Sequence, residues 1–284
     1  MWSVSKVDTF NNCKLRFKYQ YIQKFARFPD EGNKWANRGL SFHETVEHYE
    51  TGKDQNEMRT LLRENIDKFK VDISEFDVPS AFENFLVFWD YYVKPLEAKG
   101  FRVHKEYKIF GDMEINDTQE RFMGIADLFV ESDNKNIIFD YKVKKAESPN
   151  GYKNQLLLYA YLLGVQKGWN LRQIVNNTEL FIFYSLMPFD KENPTEGMLK
   201  CMRRIVFDFD DMKKVIEGYF KKSVEEINDI KWETIDAFDG TSSFACNFCP
   251  YQGADADTSI GFEGCKRSIL DGKIMDSKYK IIKK

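Results

Sequence analysis

The chain has 284 residues, of which 43% are hydrophobic and 31% charged, with only 7 prolines. That is enough apolar material for a real core, and it excludes a disordered, fibrous or disulfide-stapled protein. No stretch approaches the roughly 18 uninterrupted apolar residues of a membrane span. The N-terminus MWSVSKVDTFNNCKLRFKYQYIQKF has neither a basic stretch leading into an apolar run nor a small-residue cleavage site, so the expectation is a cytoplasmic, intracellular protein without a membrane segment. A net charge of −3 is no general mark of a nucleic-acid binder, but the segment after Cys265 carries seven Lys or Arg against two Asp. It reads either as a basic tail that follows a DNA backbone or as a solvated terminus.

Ser5 followed by Asp8 predicts a capping-box helix start, with Phe10, Cys13, Phe17 and Tyr21 on one broad face and Cys13 therefore turned inward. A second helix surrounds RGLSFHETVEHYE and ends near Thr51-Gly52, and a third covers about Gln55 to Lys70. Ser80 with Glu83 opens a long helix, AFENFLVFWDYYVKPLEAKG, that Gly100 ends; its aromatic residues read as core rather than as a surface for stacking bases. After Gly100 the period changes. FRVHKEYKIF, RFMGIADLFVE and NIIFDYKVK are rich in β-branched and aromatic residues, separated by the turn clusters NDTQE and ESDNKN, and predict three consecutive strands. A helix over about Lys153 to Lys167, strands at ELFIFYSL and RRIVFDF, and a helix from Asp211 to about Asn228 complete an α/β core with a mixed sheet. With no repeat or Pro/Gly-rich linker to divide it, 1–284 reads as a single domain with a helical insertion over 50–100, a Cys-rich segment over 241–267 and the basic tail over 268–284.

Chemistry concentrates in GIADLFVESDNKNIIFDYKVKK. A hairpin turning between Asp133 and Asn134 sets Asp127 opposite Asp140, with Cβ atoms about 4.5–5.5 Å apart. Lys142, two residues beyond Asp140, points to the same side of the sheet. Opposed like charges on an apolar sheet are unfavourable, and a divalent cation such as Mg²⁺ or Mn²⁺ compensates them while leaving positions for phosphate oxygens and a water. Lys142 then orients or helps deprotonate that water, or neutralises charge developing on the phosphate. The plainer alternative is a salt-bridge cluster in which Lys142 bridges the two aspartates. Gln155 and Tyr159 lie at i, i+4 on one face of the following helix, where both side chains reach one phosphate or the metal-bound water, or simply border the core.

G-I-A-D at Gly124–Asp127, D-Y-K at Asp140–Lys142 and Q-L-L-L-Y at Gln155–Tyr159 resemble, in order and interval, the motif set of the RecB-like PD-(D/E)XK nucleases, which include the RecB and AddB nuclease domains and the nucleases of CRISPR adaptation. The resemblance runs from Ser3 to Cys265. It implies a restriction-endonuclease-like mixed sheet flanked by helices, with Asp127, Asp140 and the main-chain carbonyl of Tyr141 as metal ligands and Lys142 catalytic. Gln155 and Tyr159 are then associated with the active site and DNA. His43 in RGLSFHETVEHYE resembles the family's helix-borne histidine that completes the metal site, and an imidazole ligand gives some preference for manganese. HETVEH is not a zinc-protease motif, since His43 and His48 are five residues apart and about 140° around the helix. Glu47 reads as a solvated helix residue, Glu106 as a weaker active-site candidate or a surface charge, and His48 and His104 match nothing.

The five cysteines, Cys13, Cys201, Cys246, Cys249 and Cys265, do not form a disulfide framework in an intracellular protein. C-x-x-C at Cys246 and Cys249 is open to redox, zinc or no role. Many RecB-like nucleases carry one cysteine in the N-terminal helix and three near the C-terminus on a [4Fe–4S] cluster that fastens the two ends of the domain. The resemblance thereby implies a centre on Cys13, Cys246, Cys249 and Cys265, with structural Zn²⁺ as the alternative. The gap before Cys265 is longer than usual in the family, and Cys201 reads as an ordinary buried thiol. The expected function is a Mg²⁺- or Mn²⁺-dependent deoxyribonuclease, an exonuclease, a single-strand endonuclease or both, acting in DNA repair, recombination or phage-type DNA processing. Its expected partners are DNA, single-stranded or at ends, and a helicase or recombination protein, since the chain has no helicase motif. The alternatives are a catalytically inactive DNA-binding or scaffold subunit that keeps the fold, and a zinc-stabilised interaction protein.

Overall fold

The computed structural model describes residues 1–27, 34–187, 193–235, 249 and 251, and the backbone of 281–283. The chain divides into two compact units, one of Met1–Glu31, Met113–Arg121 and Glu217–Lys284, the other of Gly32–Asp112 and Phe122–Ile216.

In the first unit helix α1 (Val4–Asn12) starts at Ser3, whose hydroxyl accepts the N–H of Lys6. Ser3 and not Ser5 is the cap, because the extended residue before Val4 already presents an oxygen to the unpaired amides of the first turn. Cys13 is extended, with φ −163°, and ends α1 while capping α2 (Lys14–Phe17) through its thiol, which accepts the N–H of Arg16 at 3.4 Å. The single helix expected over this stretch is therefore broken at Cys13. Strand β1 (Phe25–Arg27) pairs antiparallel with Ile281–Lys283, Phe25 opposite Lys283.

The second unit opens with helices α3 (Lys34–Glu47), α4 (Gln55–Lys68) and α5 (Val78–Phe88), the last continuing through a π-helical turn, Trp89–Val93, into α6 (Lys94–Ala98). Asp77 caps α5 by accepting the N–H of Ser80, with Pro79 in the first turn where its missing donor costs nothing. Phe42, Phe85, Phe88, Trp89, Phe139, Tyr141 and Phe183 form one buried cluster, so most of the aromatic residues of the 50–100 segment are core, as expected, while Tyr91 is exposed. Burying such rings contributes on the order of 2–3 kcal/mol each.

Five strands form the sheet in the order β2-β3-β4-β5-β6: β2 (Arg102–Ile115), β3 (Thr118–Ser132), β4 (Lys135–Lys142), β5 (Thr178–Tyr184) and β6 (Met202–Ile205). Asn116 and Asp117, with φ of 48° and 60°, make the tight turn between β2 and β3. β3 and β4 are antiparallel about Asp133-Asn134, from Ser132↔Lys135 to Leu128↔Phe139, which is the register expected from the sequence. β4 and β5 are parallel, β5 and β6 antiparallel. The crossover from β4 to β5 holds α7 (Lys153–Gln166) and a helix the sequence reading passed over, α8 (Leu171–Asn177), started by an Asn170–Gln173 capping box. A second unanticipated helix, Pro194–Cys201, precedes β6. The mixed five-strand sheet flanked by helices is the restriction-endonuclease-like architecture.

Among the described residues, no helix is long and apolar enough to cross a membrane. The expected Cys-rich segment and basic tail fall almost wholly outside the described residues.

Candidate metal centre

α3 turns Phe42 and Val46 into the aromatic core, and His43, half-buried beside Phe42, emerges at the edge of that face. Its Nδ1 lies 3.5 Å from Asp127 Oδ1 and 3.6 Å from Glu106 Oε1. His43, Glu106 and Asp127 each offer one ligand atom, and these lie within 4.8 Å of one another. Glu106 has φ +45° in the middle of β2, a left-handed conformation that costs a side-chain-bearing residue on the order of 1–3 kcal/mol. The interruption of regular strand geometry falls where the carboxylate meets the site.

The paired register of the two strands runs to Leu128↔Phe139, and just beyond it the side chain of Asp127 takes a main-chain donor of β4: Tyr141 N–H donates to Asp127 Oδ2 at 2.5 Å. On β4, Asp140 is buried and accepts from Gln155 Nε2 on Oδ1 at 2.9 Å, while Lys142 Nζ stands 2.5 Å from Oδ2. Gln155 Nε2 also donates to Tyr159 Oη at 3.2 Å, so the two side chains of the i, i+4 pair on α7 touch, and Gln155 links Tyr159 to the second aspartate. Gly124 makes room for this. A Cβ there would sit 2.2 Å from Tyr159 Cε1, far inside contact distance.

The charges are strongly interdependent. Burial pushes Asp127 up to about 7, helped by the charge of Asp140 and opposed by His43, Lys142 and the Tyr141 N–H. Burial pulls His43 down, but Asp127 and Glu106 outweigh it and leave the imidazole above its ordinary value. Burial likewise disfavours the Lys142 ammonium, yet Asp140 and Asp127 hold it above the usual lysine range. Tyr159 is pushed up to about 12 by burial and by Asp140, and so keeps its proton.

His43, Glu106 and Asp127, with the charge of Asp140 near enough to act on Asp127, form a hard, oxygen-rich donor set that suits Mg²⁺ or Mn²⁺. A cation there would stabilise the Asp127 carboxylate against the burial, and the charge of Asp140, that push it up. The structure thus brings together His43, Asp127, Asp140, Lys142, Gln155 and Tyr159, and of the two readings open for Glu106, weaker active-site candidate or surface charge, its place beside His43 favours the first. Of the other histidines, His48 is exposed with Nδ1 against the carbonyl of Glu44, and His104 is paired with Glu131 at 3.2 Å. Glu47 is exposed.

Cys13 and Cys249, both half-buried, pack on the same small apolar cluster of Leu15, Tyr19, Phe25 and Tyr251. Cys246 and Cys265 lie outside the described residues. Cys201 is buried, and burial pushes its thiol up to about 11, the behaviour of an unreactive core residue.

No curated protein matches the chain. Among solved structures it is similar to the one described as "Crystal structure of SSO0001", with 11% identity over 78% of this chain and 95% of that one and a TM-score of 0.32, a likeness too loose to bear on function. The family model described as PD-(D/E)XK nuclease superfamily matches residues 1–254, nearly the whole described chain and every residue of the site above. With that match and a mixed sheet presenting an acidic cluster beside a lysine, the chain belongs to the PD-(D/E)XK nuclease superfamily.

Proposed function

We propose that this protein is a RecB-like, Mg²⁺- or Mn²⁺-dependent deoxyribonuclease that hydrolyses phosphodiester bonds at single-stranded regions or ends, in DNA repair, recombination or phage-type DNA processing. The observation that carries the reading is the placement of Asp127, which touches His43 through Oδ1 and the Tyr141 amide through Oδ2 and so ties the His43–Glu106 pair to the Asp140–Lys142 pair. His43, Asp127 and Asp140, with the Tyr141 carbonyl and now Glu106 as a further candidate, would hold the cation. When bound, it would lower the pKa of a water molecule and neutralise charge on the scissile phosphate.

The chain's own groups do the rest. Lys142, an ammonium held by Asp140, presents positive charge where the phosphate gains negative charge. Gln155 fixes the Asp140 carboxylate, and Tyr159, which accepts from Gln155 and keeps its own proton, is left to donate to a phosphate oxygen. Cys13, Cys246, Cys249 and Cys265 are read as ligands of one [4Fe–4S] cluster, or of zinc. The shared packing of Cys13 and Cys249 supports that reading for two of the four.

The test is cleavage of an end-labelled single-stranded oligonucleotide by the purified full chain, with Mg²⁺, with Mn²⁺ and with a chelator. Cleavage that needs the cation and is lost in Asp140→Asn supports the reading. A wild-type protein that binds DNA without cutting it under any of these conditions would make it a non-catalytic subunit.

A further inference from the structure

Lys142 has a second neighbour besides Asp140. Tyr152 closes the short helical turn Pro149–Tyr152 ahead of α7, and its ring centroid lies 4.8 Å from Lys142 Nζ and 5.1 Å from Lys144 Nζ. The Tyr152 hydroxyl donates to Glu147 Oε1 at 3.0 Å, and Glu147 is ion-paired with Lys144. Tyr184 Oη in turn donates to the Glu147 carbonyl at 3.1 Å, and Tyr184 is the strand partner of Lys142 in the β4–β5 ladder. The ring is thus pinned through Glu147 to the strand that flanks the lysine, while its turn leads directly into the helix that carries Gln155 and Tyr159.

A lysine is a point charge on a flexible stem, so one contact with Asp140 sets its distance from the carboxylate but leaves its direction loose. An aromatic face adds a second, independent contact that attracts the ammonium without consuming a hydrogen-bond donor. We propose that Tyr152 is a positioning residue for this nuclease, its ring, together with Asp140, holding the Lys142 ammonium in the direction of the substrate phosphate. The proposal rests on the reading of Lys142 as the catalytic lysine. Both contacts on Lys142 are present without a cation, so the hold of the ring is readable in metal-free protein.

The experiment compares the full chain as wild type, Tyr152→Phe and Tyr152→Leu, with Tyr152→Met in reserve should the leucine variant melt early. Two quantities are read: the rate at which Lys142 is acylated by an amine-reactive ester in metal-free protein, located by peptide mass spectrometry, and kcat and KM on a single-stranded oligonucleotide. Loss of the aromatic face should speed Lys142 acylation and lower kcat by about tenfold each, with KM and melting temperature held, whereas Tyr152→Phe should stay within about threefold of wild type in both. Equal acylation of Lys142 in the three proteins would overturn the proposal, as would a phenylalanine variant as impaired as the leucine one, since the hydroxyl and not the ring would then matter. A faster-acylated leucine variant alongside a wild type that never cuts DNA would uphold the contact and refute the nuclease reading.

Discussion

Asp127 accepts the main-chain N–H of Tyr141, at 2.5 Å, one residue past the Asp140 it was expected to face. The two carboxylates therefore do not simply oppose one another across a ladder. One is turned to the amide and to His43, the other to Lys142 and Gln155, and each has its own set of donors. That division lets two acids share a small volume before any cation arrives.

Asp140→Asn and Lys142→Ala should each lower metal-dependent cleavage by at least about a thousandfold. Circular dichroism should show an unchanged fold, since each variant removes a charge rather than core packing. Cleavage at wild-type rate by purified Asp140→Asn protein would remove these residues from the chemistry.

The pH dependence follows from Asp127. Its folded-state value of about 7 lies above the ordinary 3.8, so the metal-free folded protein binds that proton more tightly than the unfolded chain does. This contribution to stability is present at acid pH and is lost as pH rises through about 7, and His43, also raised, adds in the same direction. A cation competes with these protons, so its affinity should fall about tenfold per pH unit for each proton displaced below that value. The rise in Tm caused by Mn²⁺ should accordingly be larger at pH 8 than at pH 6. Asp127→Asn should raise the metal-free Tm at pH 8 and abolish most of the Mn²⁺ effect; an Mn²⁺ shift independent of pH would contradict this account.

His43→Ala should reduce activity in Mg²⁺ by about ten- to a hundredfold, while His48→Ala leaves it close to wild type. Only His43 meets the carboxylates, and His48 is an exposed residue bonded to the carbonyl of Glu44. Steady-state cleavage with the two variants side by side decides it, equal small effects returning His43 to an ordinary helix position.

Gly124→Ala should cost about 1–3 kcal/mol of stability and also depress activity, because the added methyl must displace the Tyr159 ring that meets Gln155. Urea denaturation measures the first and cleavage the second. Gly111→Ala is the comparison: its Cβ would meet the end of Leu162 at 2.8 Å, a side chain that can rotate away. If the two variants lose the same activity, Tyr159 has no special place at the site.

Protein prepared anaerobically should carry iron and acid-labile sulfide and be brown, with broad absorbance near roughly 400 nm, whereas zinc would leave it colourless. Cys13→Ser or Cys249→Ser should each discharge the centre. Zinc alone would favour the tetrahedral alternative, and neither metal would leave the four cysteines without a common role.

Much of this protein is written locally. The two-residue turn at Asp133-Asn134 determines the β3–β4 register, while the unbroken apolar run of β4, buried on both faces, marks it as a central strand. The 3.6-residue period of α7 likewise determines that Gln155 and Tyr159 share a face. Helix starts were less legible: Ser3 and Asp77, rather than Ser5 and Ser80, hold the caps, because several nearby residues offer a suitable oxygen and only the packed chain selects among them. Three matters were decided by tertiary structure alone. Glu106, which the sequence left between a weaker active-site candidate and a surface charge, comes beside His43 through a left-handed conformation inside a strand that the fold imposes against local preference. Asp127 turned from its cross-strand partner to the Tyr141 amide, a choice set by the competition for donors in a buried space. Tyr152 came to Lys142 because an intervening loop folds back on β5 through Glu147 and Tyr184, contacts between residues whose separation in sequence carries no periodic signal.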